Sequence, residues 1–323
     1  MEKLIISSNG GGLGNRIKGL ISIIRIGRFY NRKPLLHWPK NVLMGCDFKD
    51  LFDYKIKEIN EDELKRLLEE KHSFYREWLD NLKVKERIIL FQCWRFTMLP
   101  KEIPRKFARV YPTIKGNNID FEFKRIPRNI REIILKELKE LKINKKIKER
   151  VEDFNKKNHI SDMIGIHNRA TDFQNSPDGR GKISTTDLFF KRIKEILKEK
   201  PKVKFFLCTD SKETEELYKK EFGKKIFTFP KKNWDMSSFE ASLDALTDLL
   251  LLSKTKIILG TYLSTFTEMA WWFGECKSKI EIIGDEKIEE KKKVIEFLNK
   301  EDRGFKVLIK RLIILKEKIK DIF

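Results

Sequence analysis

The chain has 323 residues, with 40% hydrophobic and 11% aromatic side chains including 24 Phe, so it can bury a sizeable core and is not a disordered tail. At roughly 100–200 residues per domain, that length suggests about two domains or one large one. The 70 basic and 49 acidic residues give a net charge of +21, which points to an anionic partner (nucleic acid, a phosphorylated substrate or an acidic membrane surface) or simply to a Lys-rich surface.

Other classes fall away on pattern. The apolar stretch Leu4 to Ile6 is far shorter than a signal-peptide core, and no run approaches about 18 apolar residues, so cytoplasmic residence is expected and a spanning helix is not. Cys46, Cys93, Cys208 and Cys276 form no CxxC pair, and none of the four His stands in an HExxH arrangement, so neither a zinc site nor a disulfide framework is expected.

In chain order, residues 3–7 read as a buried strand, followed by the glycine cluster Asn9 to Arg16 and a helix over about 15–29. Ile17, Leu20, Ile21 and Ile24 fall at i, i+3, i+4 and i+7, which defines its inward face. Pro34 stops that element, and Leu35 to Trp38 reads as the next strand. Residues 61–71 read as a helix and Ile88 to Phe91 as a strand. Four prolines make 100–128 irregular, and a long charged helix over about 129–158 connects two halves.

The second half alternates more cleanly. Strands are expected at Met163 to Ile166, Val203 to Leu207, Ile226 to Phe229, Lys256 to Leu259 and Ile280 to Ile283. Helices are expected from Ser184, Ser211, Ser237 and Thr265, three of them opened by the capping patterns Ser184-x-x-Asp187, Ser237-x-x-Glu240 and Thr265-x-x-Glu268. In the third helix Phe239, Leu243, Leu246 and Leu250 should face inward. This alternation predicts a parallel, doubly wound sheet. The tail 305–323 carries an apolar stripe opposite Lys and Arg, which suits packing onto the body or, alternatively, a basic membrane-surface helix.

Ligands of such sheets bind beyond the carboxyl ends of the strands. Polar and glycine residues gather at those ends: Gly10 to Arg16, His167 to Asp172, Thr209-Asp210 and Gly260 to Thr267. The glycine cluster is neither a P-loop nor GxGxxG, because no Gly-Lys-[Ser/Thr] follows and the third glycine position is Ile17. It suits an anion at a helix N-terminus, or a tight turn with no ligand. Arg169 offers a planar fork for phosphate, with Asp172 as an orienting group or a base; a simple Arg169–Asp172 surface pair is the alternative. Asp244 and Asp248 lie four apart on one helical face, where they are either solvated or, if buried, able to accept from a guanine N–H edge. Ser264, Thr265 and Thr267 suit a phosphate or ordinary capping.

Taken in order, these segments resemble the α1,2/α1,6/protein-O-fucosyltransferase superfamily. Gly11-Gly12-Leu13-Gly14-Asn15-Arg16 is similar to its acceptor-side loop, and with His37-Trp38-Pro39 and Phe48-x-x-Leu51-Phe52 it looks most like the bacterial nodulation-type branch. His167-x-Arg169-x-Thr171-Asp172 is similar to the HxRRTD motif at the GDP site, and Asp248 to Ser253 through Gly260 to Ser264-Thr265-Phe266 resembles the last motif of the family. The resemblance covers about residues 5–275.

It implies an α/β, GT-B-like fold: an acceptor-side domain over 1–157, a nucleotide-sugar domain over 158–285, the two Rossmann-like domains facing a cleft, and C-terminal helices over 286–323 packing back. It also implies an inverting transferase using GDP-fucose, with no cofactor or required metal. His167, Asp210, Asp248, Ser264, Thr265 and Phe266 would serve the donor, Arg169 the departing β-phosphate, and Asp172 or Asp178 the acceptor proton. Gly11, Gly12, Gly14, Asn15 and Arg16 would line the acceptor side. Ala170 departs from the pattern, since α1,6 members carry a second Arg there; Arg16 or Arg180 could compensate. The acceptor would be a glycan, a lipid-linked glycan or a protein, with peripheral membrane association open. The alternatives are another nucleotide sugar on the same fold, or a basic nucleic-acid-binding protein. The latter is disfavoured because no RNP, KH or zinc-finger pattern occurs.

Overall fold

The computed structural model describes residues 2–75, 86–92, 96–97, 113–114, 128–171, 183–262 and 264–284. The chain divides into a compact unit, Met1–Ile283, and a second, Gly284–Phe323. The expected C-terminal helices and the stripe over 305–323 fall outside the described residues.

The first half begins β1 (Leu4–Ser8), α1 (Leu13–Tyr30) and β2 (Lys33–His37). A short helix α2 (Phe48–Leu51) runs into β3 (Phe52–Asp53), followed by β4 (Lys57–Glu58), α3 (Glu61–Glu69), β5 (His72–Tyr75) and β6 (Ile88–Phe91). Two minor strands, β7 (Phe96–Thr97) and β8 (Thr113–Ile114), pair with each other. The main sheet has the order β4-β2-β1-β6-β5 and is parallel throughout.

The expected single helix over 129–158 is two helices, α4 (Arg128–Glu140) and α5 (Lys145–Asn158), separated by β9 (Lys142–Ile143). β9 pairs antiparallel with β3, Phe52 opposite Ile143. That pairing across the sequence breaks the helix, and local periodicity carries no trace of it.

The second half contains β10 (Ile164–Asn168), α6 (Thr186–Glu199), β11 (Phe205–Thr209), α7 (Lys212–Phe222), β12 (Ile226–Phe227), α8 (Phe239–Leu252), β13 (Ile257–Thr261), α9 (Thr265–Phe273) and β14 (Lys279–Ile283). Its parallel sheet has the order β12-β11-β10-β13-β14. Alternate residues of β11 serve opposite faces: Phe205 and Leu207 pack with Phe189, Ile193 and Tyr218, while Phe206 and Cys208 pack with Leu246, Leu249 and Trp271. Both faces are therefore covered, which is why the strand is apolar along its length.

Two helices start one residue later than their capping patterns suggest, and the one expected from Thr265 starts one residue earlier. Thr185, Ser238 and Ser264 occupy the N-cap positions. The hydroxyl of Ser184 instead donates to the Ile283 carbonyl and accepts from Tyr262 N–H, and that of Ser237 bonds Asp235. Glu268, expected in a cap, is buried in an ion pair.

Helix α1 is central. It packs on β1, β2, α4 and α9, and almost all of its residues from Leu13 to Gly27 are buried. Ile17, Leu20, Ile21 and Ile24 are at most 3% exposed, each contributing about 1.5–3 kcal/mol by burial. One apolar cluster runs from these residues to Leu246, Trp271 and Trp272, so the two halves share a core. Backbone approach is close at two glycines on that seam. A Cβ on Gly14 would stand 2.8 Å from the Thr265 carbonyl oxygen, and one on Gly45 would stand 2.0 Å from that of Ser237. Among the described residues no helix is long and apolar enough to cross a membrane.

Candidate functional site

In the second sheet the chain runs from β10 outward to β11 and β12, then returns to place β13 on the other side of β10. The gap beyond the carboxyl ends of β10 and β13 is the switch point where such sheets take ligands. A cleft of about 960 Å³, its open mouth included, lies there. It is lined from the first half by Gly12, Gly14 and Asn15, and from the second by His167, Arg169, Asp210, Asp248, Thr265 and Phe266.

Each group is held by its element. The Nδ1 of His167, at the end of β10, pairs with Thr267 Oγ1 at 2.8 Å, and its ring stacks on Phe266 with centroids 4.6 Å apart. Burial, helped by the positive charges of Arg169 and Lys231, pushes the imidazole down to about 3, so it is a neutral hydrogen-bonding surface and not a base at physiological pH. The Arg169 N–H donates to Thr261 Oγ1 at 3.0 Å, tying this loop to β13. Asp210, at the end of β11, accepts from Ala170 N–H at 2.7 Å and from the Thr171 hydroxyl at 2.7 Å, and stands 4.0 Å from the Arg169 Nε. Ala170 is thus a backbone donor that closes the turn carrying Arg169.

Two helix N-termini meet at the cleft. The N-caps of α1 (Gly12) and α9 (Ser264) carry no side-chain capping hydrogen bond, and α1 has no acidic residue in its first turn. Gly14 packs on Thr265, so the partial positive charges of both helices fall close together. None of Gly10, Gly11, Gly12 or Gly14 has a positive φ; the cluster is used for close approach. Lys18 and Glu268, each one turn inside these ends, form an ion pair at 2.5 Å with both side chains fully buried.

The acids of the cleft are matched. Asp244 pairs with Arg150 of α5. Lys231 pairs with Asp248 at 2.7 Å, and the other oxygen of Asp248, Oδ1, is buried without a hydrogen-bond partner. Burial raises Asp248 to about 6 against the pull of Lys231. For Lys231, burial acts to lower the pKa, but the Asp248 charge and hydrogen bond outweigh it and the ammonium titrates above its usual range. The solvated alternative for the Asp244–Asp248 face is therefore overturned: α8 is covered by α5, α9 and β11 on several sides, and it is Phe239, expected inward, that is 44% exposed.

Arg16 does not line the cleft. Its guanidinium is buried over the Trp38 ring at 5.0 Å, with Nε donating to the Gly11 carbonyl at 2.6 Å, so it braces the glycine turn and does not stand in for the arginine missing at Ala170. Gly11 is likewise away from the cleft wall, and Ser264 is fully buried. Asp172, Asp178 and Arg180 lie outside the described residues. Sequence reasoning missed Leu43 and the loop after β12, where Lys231, Asn233, Trp234 and Met236 line the cleft. A Trp beside two Lys in a loop was the available signal. Among the described residues no group of three or more His, Cys, Asp or Glu could hold a metal ion.

No protein-family model matches the chain, and no curated protein matches it in sequence. Solved structures do match in fold. A structure of NodZ α1,6-fucosyltransferase soaked with GDP-fucose superposes with a TM-score of 0.53 at 16% identity, covering 84% of this chain and 93% of that one. Fucosyltransferase NodZ from Bradyrhizobium gives 0.51 at 16%, covering 84% and 92%. A variant of Arabidopsis thaliana FUT1 in complex with GDP gives 0.52 at 14%, covering 85% and 69%. The chain therefore has the GT-B-like α/β fold of these fucosyltransferases, with two parallel Rossmann-like sheets meeting at the cleft.

Proposed function

We propose that the chain is a glycosyltransferase that moves fucose from GDP-fucose to a hydroxyl group of a glycan, lipid-linked glycan or protein, with inversion and without a metal. One observation carries this reading. A single cleft combines a buried carboxylate oxygen without a partner, an arginine, and two uncapped helix N-termini. The first suits a base with N–H donors, and the others suit a diphosphate. The fold likeness to proteins solved with GDP and GDP-fucose supports the same choice of donor.

In this reading residues 158–285 hold the donor and residues 1–157 face the acceptor. Asp248 and His167 meet guanine or ribose. Thr265, with Ser264 and Phe266 at the start of α9, assists at the phosphates, and Asp210 holds the loop that aims Arg169 at the β-phosphate. Gly12, Gly14 and Asn15 border the acceptor. The acceptor oxygen attacks the anomeric carbon, the bond from that carbon to the phosphate oxygen breaks, and GDP leaves with the electron pair. The acceptor proton passes to a carboxylate, for which Asp172 and Asp178 are the candidates. Arg169 and the helix ends stabilise charge that grows on GDP as the bond breaks, so they act more strongly in the transition state than in the ground state.

Proton NMR of GDP-fucose consumption in EDTA tests this. The first sugar anomer formed is expected to have the configuration opposite to that of the donor, with the rate unchanged by the chelator. Retained configuration, or activity that disappears in EDTA, would contradict the mechanism. Turnover of a different GDP-sugar alone would replace fucose and keep the nucleotide site.

A further inference from the structure

Lys231 belongs to no motif, yet it is among the most constrained cations in the cleft. Its side chain is 7% exposed; Nζ donates to Asp248 Oδ2 at 2.7 Å and to the Thr209 carbonyl at 2.9 Å, and lies 4.6 Å from the Trp234 ring centroid. An ammonium has three N–H groups, and here a carboxylate, a carbonyl and an aromatic face surround it. One oxygen of Asp248 is thus fixed by a cation, and the other is buried with no hydrogen-bond partner.

A carboxylate only accepts hydrogen bonds, whereas a carboxylic acid also donates one. Guanine presents N1–H beside its N2 amino group, two adjacent donors that match a carboxylate. Adenine presents the N1 acceptor beside its N6 amino donor, which matches the acid form. The protonation state of Asp248 therefore decides which purine edge fits. We propose that Lys231 is a specificity-determining positioning residue: by holding Asp248 as a carboxylate, it makes the cleft accept guanine and reject adenine. This inference rests on the nucleotide reading of the cleft.

The groups around Asp248 bear this out as a local effect. Asp244, on the same helix, is tied to Arg150 of α5. Asp244 and, from α7, Glu215 both add negative charge that favours the acid form. On β11 the Cys208 thiol, pushed well up by burial, donates to the Asp248 carbonyl at 3.5 Å. Among these groups Lys231 is the cation in contact with the Asp248 carboxylate. Asp248 sits near 6 with the ammonium in place, so removing the ammonium must move it upward, toward the acid form at neutral pH.

The test is calorimetric titration of the full chain with GDP and with ADP between about pH 6 and 9, for wild type, Lys231→Met, Lys231→Arg and Asp248→Asn. Wild type is expected to prefer GDP by about tenfold or more at the alkaline end, with the preference fading toward the acid end. Lys231→Met should lose GDP affinity by about tenfold near neutrality, and its preference should fade at a pH about one unit higher. Lys231→Arg should keep the preference. If Lys231→Met does not fold, Asp248→Asn still decides, because an amide cannot ionise and its GDP-to-ADP ratio should be small and flat with pH. A wild-type preference that survives unchanged in Lys231→Met, or unchanged and still pH-dependent in Asp248→Asn, would overturn the inference alone. Wild type that binds neither nucleotide would overturn the underlying reading instead.

Discussion

Replacing Arg169 by alanine is expected to lower transfer by about a hundredfold to a thousandfold while leaving the fold intact. The two effects separate because the main chain and the side chain have different work. The backbone at Arg169 is fixed to Thr261, and the turn after it is closed by Ala170 and Thr171 on Asp210, none of which uses the guanidinium. The Arg169 side chain lines the cleft and belongs to none of the apolar clusters, so truncating it leaves the core packing in place. Arg169→Lys should fall between the two, since an ammonium keeps the charge but not the planar fork. Turnover of GDP-fucose and the thermal midpoint, measured on the same preparations, check this. An alanine variant as active as wild type would take Arg169 out of the mechanism.

Replacing Lys18 by methionine should cost about 3–5 kcal/mol of stability, because it leaves the Glu268 carboxylate buried without its cation. Lys18 lies four residues after Gly14, and Glu268 four after Ser264, so the pair clamps α1 to α9 one turn inside the two N-termini that meet at the cleft. Trp272 Nε1 also donates to Glu268, at a longer 3.4 Å. The double variant Lys18→Met/Glu268→Leu removes both charges and should recover much of the loss, since a hydrophobic replacement of a buried pair is often near neutral. Urea denaturation of the two variants and wild type measures this directly. Equal stability of Lys18→Met and wild type would show that the pair does not hold the halves together.

Much of the fold was legible because it is written locally. The run Leu4 to Ile6, the period of Ile17 to Ile24 and the strand–helix alternation after Met163 all reappear as β1, α1 and the second parallel sheet. The strand-end clusters were legible for the same reason: a parallel sheet places the residues after its strands at one edge, those after β1 in the first sheet and those after β10, β11 and β13 in the second. What escaped depends on partners distant in sequence. Lys18 reads as a misplaced charge on an apolar helix until Glu268, 250 residues away, comes to meet it. The break between α4 and α5 exists because Ile143 pairs with Phe52. For Asp248 the sequence leaves a solvated and a buried reading open, and the packing of α5 and α9 around α8 decides for the buried acid. Lys231 had only the weak local signal of a nearby Trp, since its role is defined by Asp248 of α8 and Thr209 of β11 converging on it from two other segments, with Trp234 of its own loop beside it.

The most direct test of the nucleotide site is a calorimetric titration of GDP into wild type and Asp248→Ala, both in EDTA, with UDP and CMP as controls. Wild type is expected to bind GDP without metal and in preference to the controls, and Asp248→Ala to bind it about tenfold or more weakly while unfolding as cooperatively as wild type. Binding of all three nucleotides alike, or GDP affinity indifferent to Asp248, would contradict a guanine-nucleotide site in this cleft.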